Sequence, residues 1–461
     1  MTSAGPSTKP AVAETVAAWL AATQPKSLPP ATVEMARKLF LDVAGLCIAA
    51  RHEDYIAATL AAVDRGGACT ALGHSGGFDA FGAALINGTA AHGEDFDDTF
   101  EGGPVHSGAV IVPAVMAACE REGLGGERLL VGIATGVELM CRLSLVAPQA
   151  THKAGFHPTA VFGALAAAGG VSAALGLTSK HTTSALGIAG SMASGIIEYL
   201  AEGTWTKRMH AGWAAQAGLR AALMARGGFL GPRTVLDGVH GFYHAFAPSV
   251  PPDFSQLLDG LGQRWVIETV AFKPYACGTM TQPFIDCAIQ LAKSGVHAED
   301  ITDIRCEVGE GTVHRLWEPL AVKHHPQTPY AAKFSTPFCM AVGFFDHRAG
   351  FAQFTEERIR DEAVLRLAGK IRYVINPHDE YPRNFTGHLH AKLKDGSVHE
   401  FRQPHMRGGA HAPMAMAEFE TKFLDNALYG GWDRETADRF AQMSRTLFSQ
   451  PRLTSVQEFR V

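Results

Sequence analysis

Residues 160–177 run for 18 positions without a charge, and alanine and glycine fill most of them. A stretch that long and apolar belongs either in a bilayer or at the centre of a helical core. Its small side chains favour the core, because they let neighbouring helix backbones approach closely. The same composition recurs from Val12 to about Arg226, in helical patterns over residues 31–49, 126–146 and 158–175. Leu28-Pro29-Pro30 reads as a helix entrance, since proline is tolerated in a first turn. No membrane association is expected.

The pattern changes after about Val270. Ile304-Arg305-Cys306-Glu307-Val308 alternates as a strand does. Residues 388–393, then Lys394-Asp395-Gly396-Ser397, then 398–401 read as a hairpin. Helices return over 414–427 and 434–449. The chain is therefore expected to be mainly α, with a large all-helical domain over residues 1–268 plus 405–461 and a smaller inserted α+β domain over 269–404. Residues 2–10 read as a loose tail.

A hydrophobic fraction of 47% against 18% charged residues supports a packed globule. The net charge of −5 gives no general affinity for nucleic acid or anionic membrane, so any anion must be held by local basic groups. The eight cysteines are scattered, without a CxxC pair, as reduced thiols in the cytoplasm would be. No basic segment leads into an apolar one at the N-terminus, so no secretory signal is read. There is no GxGxxG after a strand, no GxxxxGK[ST], no HExxH and no GxSxG. Nucleotide cofactors and serine hydrolysis accordingly rank low.

Chemistry concentrates in residues 87–113, NGTAAHGEDFDDTFEGGPVHSGAVIVP. His92, Glu94, Asp95, Asp97, Asp98, Glu101 and His106 fall between two apolar segments, with no Lys or Arg among them. A helix over 79–91 would extend His92, Asp95 and Asp98 along one face, and Gly102-Gly103-Pro104 would break it and return His106. Carboxylates held together raise one another's pKa and imidazole titrates near neutrality, so the stretch can supply proton-transfer groups. The plainer alternatives are a solvated helix end and a metal site, although the spacing matches no diagnostic ligand pattern.

Three other clusters stand out. In Gly155-Phe156-His157-Pro158-Thr159 a proline at the first helical position leaves His157 near the positive end of the dipole, which favours a neutral, proton-accepting ring. Thr204-Trp205-Thr206-Lys207-Arg208-Met209-His210 puts two cations at a helix start, where an acidic partner or an anionic ligand must offset them. The acidic run 94–101 is one candidate partner. Phe272-Lys273-Pro274-Tyr275-Ala276-Cys277 places Lys273 beside a proline-restricted backbone. Cys277 is more simply a buried apolar group than a nucleophile.

Taken in order, NGTAAHGEDFDDT, VHSGAVIVPA, GFHPTAVFGALAAA, TKRMHAGWAAQAGLRAALMARGGFLGP and FKPYACGTMTQPFID resemble the MmgE/PrpD family. That family includes 2-methylcitrate dehydratase, cis-aconitate decarboxylase and iminodisuccinate epimerase. The resemblance implies a helical domain with a smaller α+β lid, a homodimer, a small-molecule carboxylate substrate, and catalysis without metal or organic cofactor. Carried over, the family's site falls on Asp95 and Thr99, His106, His157, Lys207 and Lys273. At Gly278-Thr279-Met280-Thr281-Gln282 the chain departs from the dehydratase-like pattern, which often has Arg after the cysteine and His near Gln282. Loss of that guanidinium removes a bidentate carboxylate clamp.

The reaction expected first is loss of water from a hydroxy di- or tricarboxylic acid. Lys207 and Lys273 would hold carboxylates, Thr99 would position a carboxylate or the hydroxyl, and His106, His157 or Asp95 would move protons. Epimerisation of a substituted succinate and decarboxylation of a cis-aconitate-like acid are the alternatives. A silent polycarboxylate-binding protein is a further one, disfavoured by the two histidines.

Overall fold

The computed structural model describes residues 9–460; most of the tail read over 2–10 lies outside them. The described chain forms two compact units. Unit 1 comprises the chain up to Gly93, Asp97–Val270 and Phe419–Val461; unit 2 comprises Glu94–Phe96 and Ala271–Glu418.

Unit 1 is built on helices α1 (Val12–Ala22), α2 (Pro30–Ala49), α3 (Ala80–Gly93), α4 (Gly108–Glu122), α5 (Gly126–Leu145), α6 (Pro158–Leu175), α7 (Ser179–Met192) and α8 (Thr206–Arg226). Proline opens α2 and α6 at the first helical position, as the sequence suggests. Helix α6 is long and apolar enough to cross a membrane, yet 94% of it is buried inside the protein, packed against α5 and α8. Its neighbours touch it backbone to backbone.

Small residues make that possible. A Cβ on Gly88 of α3 would lie 2.6 Å from Gly212 Cα of α8, and one on Gly212 would lie 2.2 Å from the Leu85 carbonyl oxygen. Those helices therefore meet closer than alanine permits. Gly212→Ala is expected to cost about 1–3 kcal/mol, as overpacking does, read as a lowered midpoint in urea unfolding. An unchanged midpoint would contradict this reading of the contact.

The expectation of an all-helical first domain needs correction. Arg65–Cys69 (β1) and Thr99–Phe100 (β2) are extended segments of unit 1. In β1 the Gly66-Gly67 pair defeats the helix, with Gly66 at φ 98 and its N–H bonded to the Gly77 carbonyl at 2.8 Å.

A buried ion pair ties α5 to the chain that follows α8. Arg142 and Glu138, both with fully buried side chains, pair one turn apart. Arg142 also donates to the carbonyls of Gln256, Leu257, Asp259, Gly260 and Arg264, while Glu138 accepts the Ile267 N–H at 2.9 Å.

Unit 2 holds a four-stranded sheet of β3 (Ile301–Val308), β4 (Ile371–Ile375), β5 (Gly387–Leu393) and β6 (Val398–Gln403), in the spatial order β4-β3-β5-β6. Only the β3–β4 pair is parallel. The hairpin reading holds, with Leu389 opposite Phe401 and His390 opposite Glu400. Leu389 and Ala391 are buried and helix α9 (Gln282–Lys293) packs on β5 and β6, so His388 and His390 face the other side of the sheet. Helix α10 (Thr336–Asp346) packs on α9.

Helices α11 (Met416–Tyr429) and α12 (Arg434–Thr446) follow, and from Phe419 onward they belong to unit 1. There Lys422 pairs with the buried Asp42 of α2 at 2.6 Å. All eight cysteines are buried and free.

Candidate active site

Helix α3 delivers His92 in its last turn and ends at Gly93. Asp95 then adopts φ 60, a left-handed conformation that aspartate tolerates better than most side chains. His92, Asp95 and Asp98 therefore do not share a helical face, contrary to their spacing. Glu94–Phe96 belong with unit 2, and Asp97, Asp98 and Thr99 with unit 1.

Within unit 1, His92 Nδ1 lies 2.7 Å from Asp97 Oδ2. A carboxylate only accepts, so Nδ1 carries the proton and Nε2 keeps its lone pair. That Nε2 is buried without a hydrogen-bond partner. The Phe100 N–H bonds the Val105 carbonyl across the Gly102-Gly103-Pro104 turn, which returns His106 as its sequence suggested. The rings of His92 and His106 are 4.8 Å apart. His106 Nδ1 donates to the Asp98 backbone carbonyl at 2.7 Å and stands 3.4 Å from Asp97 Oδ1. Nε2 is thus the nitrogen His106 has left for proton transfer.

His157 caps α6, immediately before Pro158, and its N–H donates to the Gly195 carbonyl at 2.8 Å. Its ring stacks on His92 with centroids 5.5 Å apart, and its Nδ1 is 3.1 Å from Nδ1 of His210 on α8. Lys207, one turn earlier on α8, is close enough to disfavour protonation of His92, His157 and His210. Thr99 is buried in β2, and Thr159 of α6 accepts the His106 N–H at 3.2 Å. His106, His157 and Lys207 are thereby brought together, with His92, Asp97 and His210 among them.

Electrostatics sort these groups. Burial, then the other imidazoles and Lys207, hold His157 well below the ordinary histidine range. Burial likewise lowers His92, outweighing Asp97, and lowers His210 to about 4. The sequence had pointed to a neutral His157 through the helix dipole, but burial is the principal cause. Burial opposes the charge on Asp97, yet the two imidazoles overcome it and hold that carboxyl well below the usual range. Asp98 moves the other way, to about 6, pushed up by burial and by Asp97. Its oxygens accept the Ser107 and Gly108 N–H groups and the Ser107 hydroxyl, each at 2.9 Å, so it caps α4.

These depressed histidines predict acid lability. A histidine at about 4 in the folded chain and 6.5 in the unfolded one adds nothing above pH 6.5. As pH falls from there, only the unfolded chain takes up the proton, and stability drops until pH passes the folded value. The slope reaches about 1.4 kcal/mol per pH unit for each such group. Unfolding midpoints measured between pH 7.5 and 4.5 should therefore fall, and His210→Gln should make the fall shallower. Parallel curves would remove His210 from that account.

Asp95 and Lys273 come together in unit 2. Lys273, 1% exposed, donates to the Asp95 carbonyl at 2.8 Å and to its carboxylate at 3.0 Å. Lys333 repeats the arrangement on Glu94, bonding its carbonyl at 3.1 Å and its carboxylate. Phe96 packs edge-on against Phe351, whose ring also faces the Lys333 ammonium. In the divergent stretch, the Gly278 N–H bonds the Lys333 carbonyl at 2.9 Å. Gln282 is buried there with its Oε1 unsatisfied.

Four of these residues were not assigned roles from sequence. His92 and Asp97 lay in the acidic stretch and His210 in the Lys207 motif, so the signal was present but unresolved. Lys333, in Ala331-Ala332-Lys333-Phe334, has no local signature at all; its partner Glu94 is far away in the chain.

Comparison with known proteins accounts for nearly the whole chain. The model of the MmgE/PrpD N-terminal domain matches residues 14–255, and that of the MmgE/PrpD C-terminal domain matches residues 275–447. Cis-aconitate decarboxylase of Homo sapiens is 31% identical over 360 residues, 75% of this chain and 72% of that protein. Cis-aconitate decarboxylase of Aspergillus terreus is 27% identical over 421 residues, 86% and 85% of the two chains. A cis-aconitate decarboxylase-like protein of Aspergillus oryzae is 26% identical over 408 residues, 83% of each. With both family domains matched in order, and the motif histidines of the first assembled in one buried cluster, this chain belongs to the MmgE/PrpD family.

Proposed function

We propose that the protein is a cofactor-independent lyase that decarboxylates a cis-aconitate-like unsaturated tricarboxylic acid. The observation that carries this reading is the alignment with decarboxylases over most of both chains. It favours decarboxylation over the dehydration that the sequence motifs first suggested. The divergence at Gly278 and Gln282 from the dehydratase-like pattern agrees with that preference.

In this reaction a C–C bond to a carboxylate breaks, CO2 leaves, and the electron pair returns to the carbon skeleton. One proton is then added to carbon. Lys207 holds a remaining carboxylate and stabilises the charge that develops. His106 delivers the proton from Nε2, with Asp97 as counter-charge for the protonated ring, and recovers it from solvent. His92, His157 and His210, held below the ordinary histidine range by burial, form an uncharged wall beside the donor. Thr99 positions a carboxylate. Lys273 is assigned to holding Asp95, its buried partner, rather than the substrate.

Proton NMR in deuterated water tests this. With cis-aconitate, the expected result is loss of CO2 and one deuterium on a product carbon. Conversion of citrate or 2-methylcitrate to an alkene would replace the proposal with dehydration. Deuterium at a retained stereocentre of a substituted succinate would replace it with epimerisation. A raised melting temperature without turnover of any acid would make the protein a carboxylate-binding one.

A further inference from the structure

The solvent-side face of the unit 2 sheet carries a cluster that plays no part in the proposed reaction. His388 and His390 alternate along β5, so the period of two places both imidazoles on the face away from α9. Glu307 reaches them from β3. One of its oxygens is 3.3 Å from His388 Nδ1 and the other 3.2 Å from His390 Nε2. The three candidate ligand atoms lie within 4.8 Å of one another. Each imidazole–carboxylate separation, taken to its own oxygen of Glu307, is near the ~3.3 Å between two donors about 2.0–2.1 Å from one tetrahedral ion.

The surroundings fit a metal ligand set better than a chance ion pair. His388 Nε2 bonds Glu400 Oε1 of β6 at 2.7 Å. That fixes the tautomer, because Nε2 must carry the proton and Nδ1 keeps its lone pair. A carboxylate on the far nitrogen is the usual outer support of a metal-binding histidine. Asn376 Nδ2 donates to Glu307 Oε2 at 2.9 Å and orients the carboxylate. All three ligand side chains are only 19–24% exposed, so they are held by the sheet while solvent still reaches them.

We propose that His388, His390 and Glu307 form a binding site for a divalent transition-metal ion of the zinc type, with Glu400 as outer support and water completing the shell. Two imidazoles and one carboxylate suit zinc, nickel or copper; calcium and magnesium need more oxygen donors than this face offers. Arg305 and Arg402 stand opposite His390 and His388 in the ladder, which further disfavours a site that relies on charge alone.

The other His/Asp group, His92, Asp97 and His106 in unit 1, differs in kind. There His106 Nδ1 is committed to a backbone carbonyl at 2.7 Å, whereas at the sheet the 3.2 Å bond from His390 Nε2 to Glu307 joins two groups of the ligand set itself, and an ion would replace its proton.

The test is binding of Zn2+ to the full chain by equilibrium dialysis at pH 7.5, with Co2+ titration followed by its visible absorption. One equivalent is expected on the parent protein, with the intense bands of a four- or five-coordinate Co2+ site. His390→Ala and Glu307→Gln should each abolish that equivalent and its spectrum. Glu400→Gln should weaken it about 10–100-fold, as loss of an outer partner does. Glu307→Gln keeps the side chain's shape, so it tests the ligand without disturbing the fold. Equal stoichiometry and affinity in the parent and in both ligand variants would overturn the proposal. So would a parent protein that binds no ion.

Discussion

Alanine at His106 is expected to lower turnover of the decarboxylated acid by about a hundredfold or more, the ordinary contribution of a positioned proton-transfer group, and alanine at His157, which moves no proton, to lower it less. The two losses should differ in character. His106 has Nδ1 tied to the Asp98 carbonyl, so its loss removes the proton donor itself. His157 is bonded to His210 and stacked on His92, so its loss also disturbs the neutral wall beside the donor. Rates of CO2 release at saturating substrate measure both. Near-parental turnover in both single variants would reject the assignment, whatever reaction the protein performs.

The largest effect on stability is expected at Arg142. Methionine there keeps the volume but leaves Glu138 buried with only a backbone N–H, and strips the donor from five carbonyls between Gln256 and Arg264. Breaking one half of a buried pair costs about 3–5 kcal/mol. Equilibrium urea unfolding should show that loss. A Glu138→Gln, Arg142→Met double variant should recover part of it, because the stranded charge is gone. A double variant as unstable as the sum of the singles would mean that Arg142 acts through the carbonyls alone.

How much of this was legible in the sequence depends on how far each contact reaches. Helix α6 is readable end to end, because proline opens it, glycine follows it and nothing charged interrupts it. The β5–β6 hairpin is readable for a similar reason, with Asp395-Gly396 between alternating residues. His157 directly precedes Pro158 and His106 comes two residues after the Gly102-Gly103-Pro104 turn, so the local chain announces both. The end of α3 is not readable in the same way. Spacing carried the helix through Asp95, whereas Lys273 holds Asp95 in a left-handed conformation from 178 residues away. Lys333 fails for the same reason, since nothing near it in sequence signals Glu94. The two short extended segments of unit 1 were missed because the helical composition around them dominates any window that contains them.

The close contact of α3 and α8 has a consequence for how this cluster keeps its dimensions. Gly88 lies one turn before His92, and Gly212 lies two residues after His210. The spacing of those imidazoles is therefore gauged by main chain resting on main chain, which has no rotamers to change. Core side chains elsewhere in the bundle can drift in size while this gauge stays set, and only a residue with a Cβ at one of the two glycines resets it.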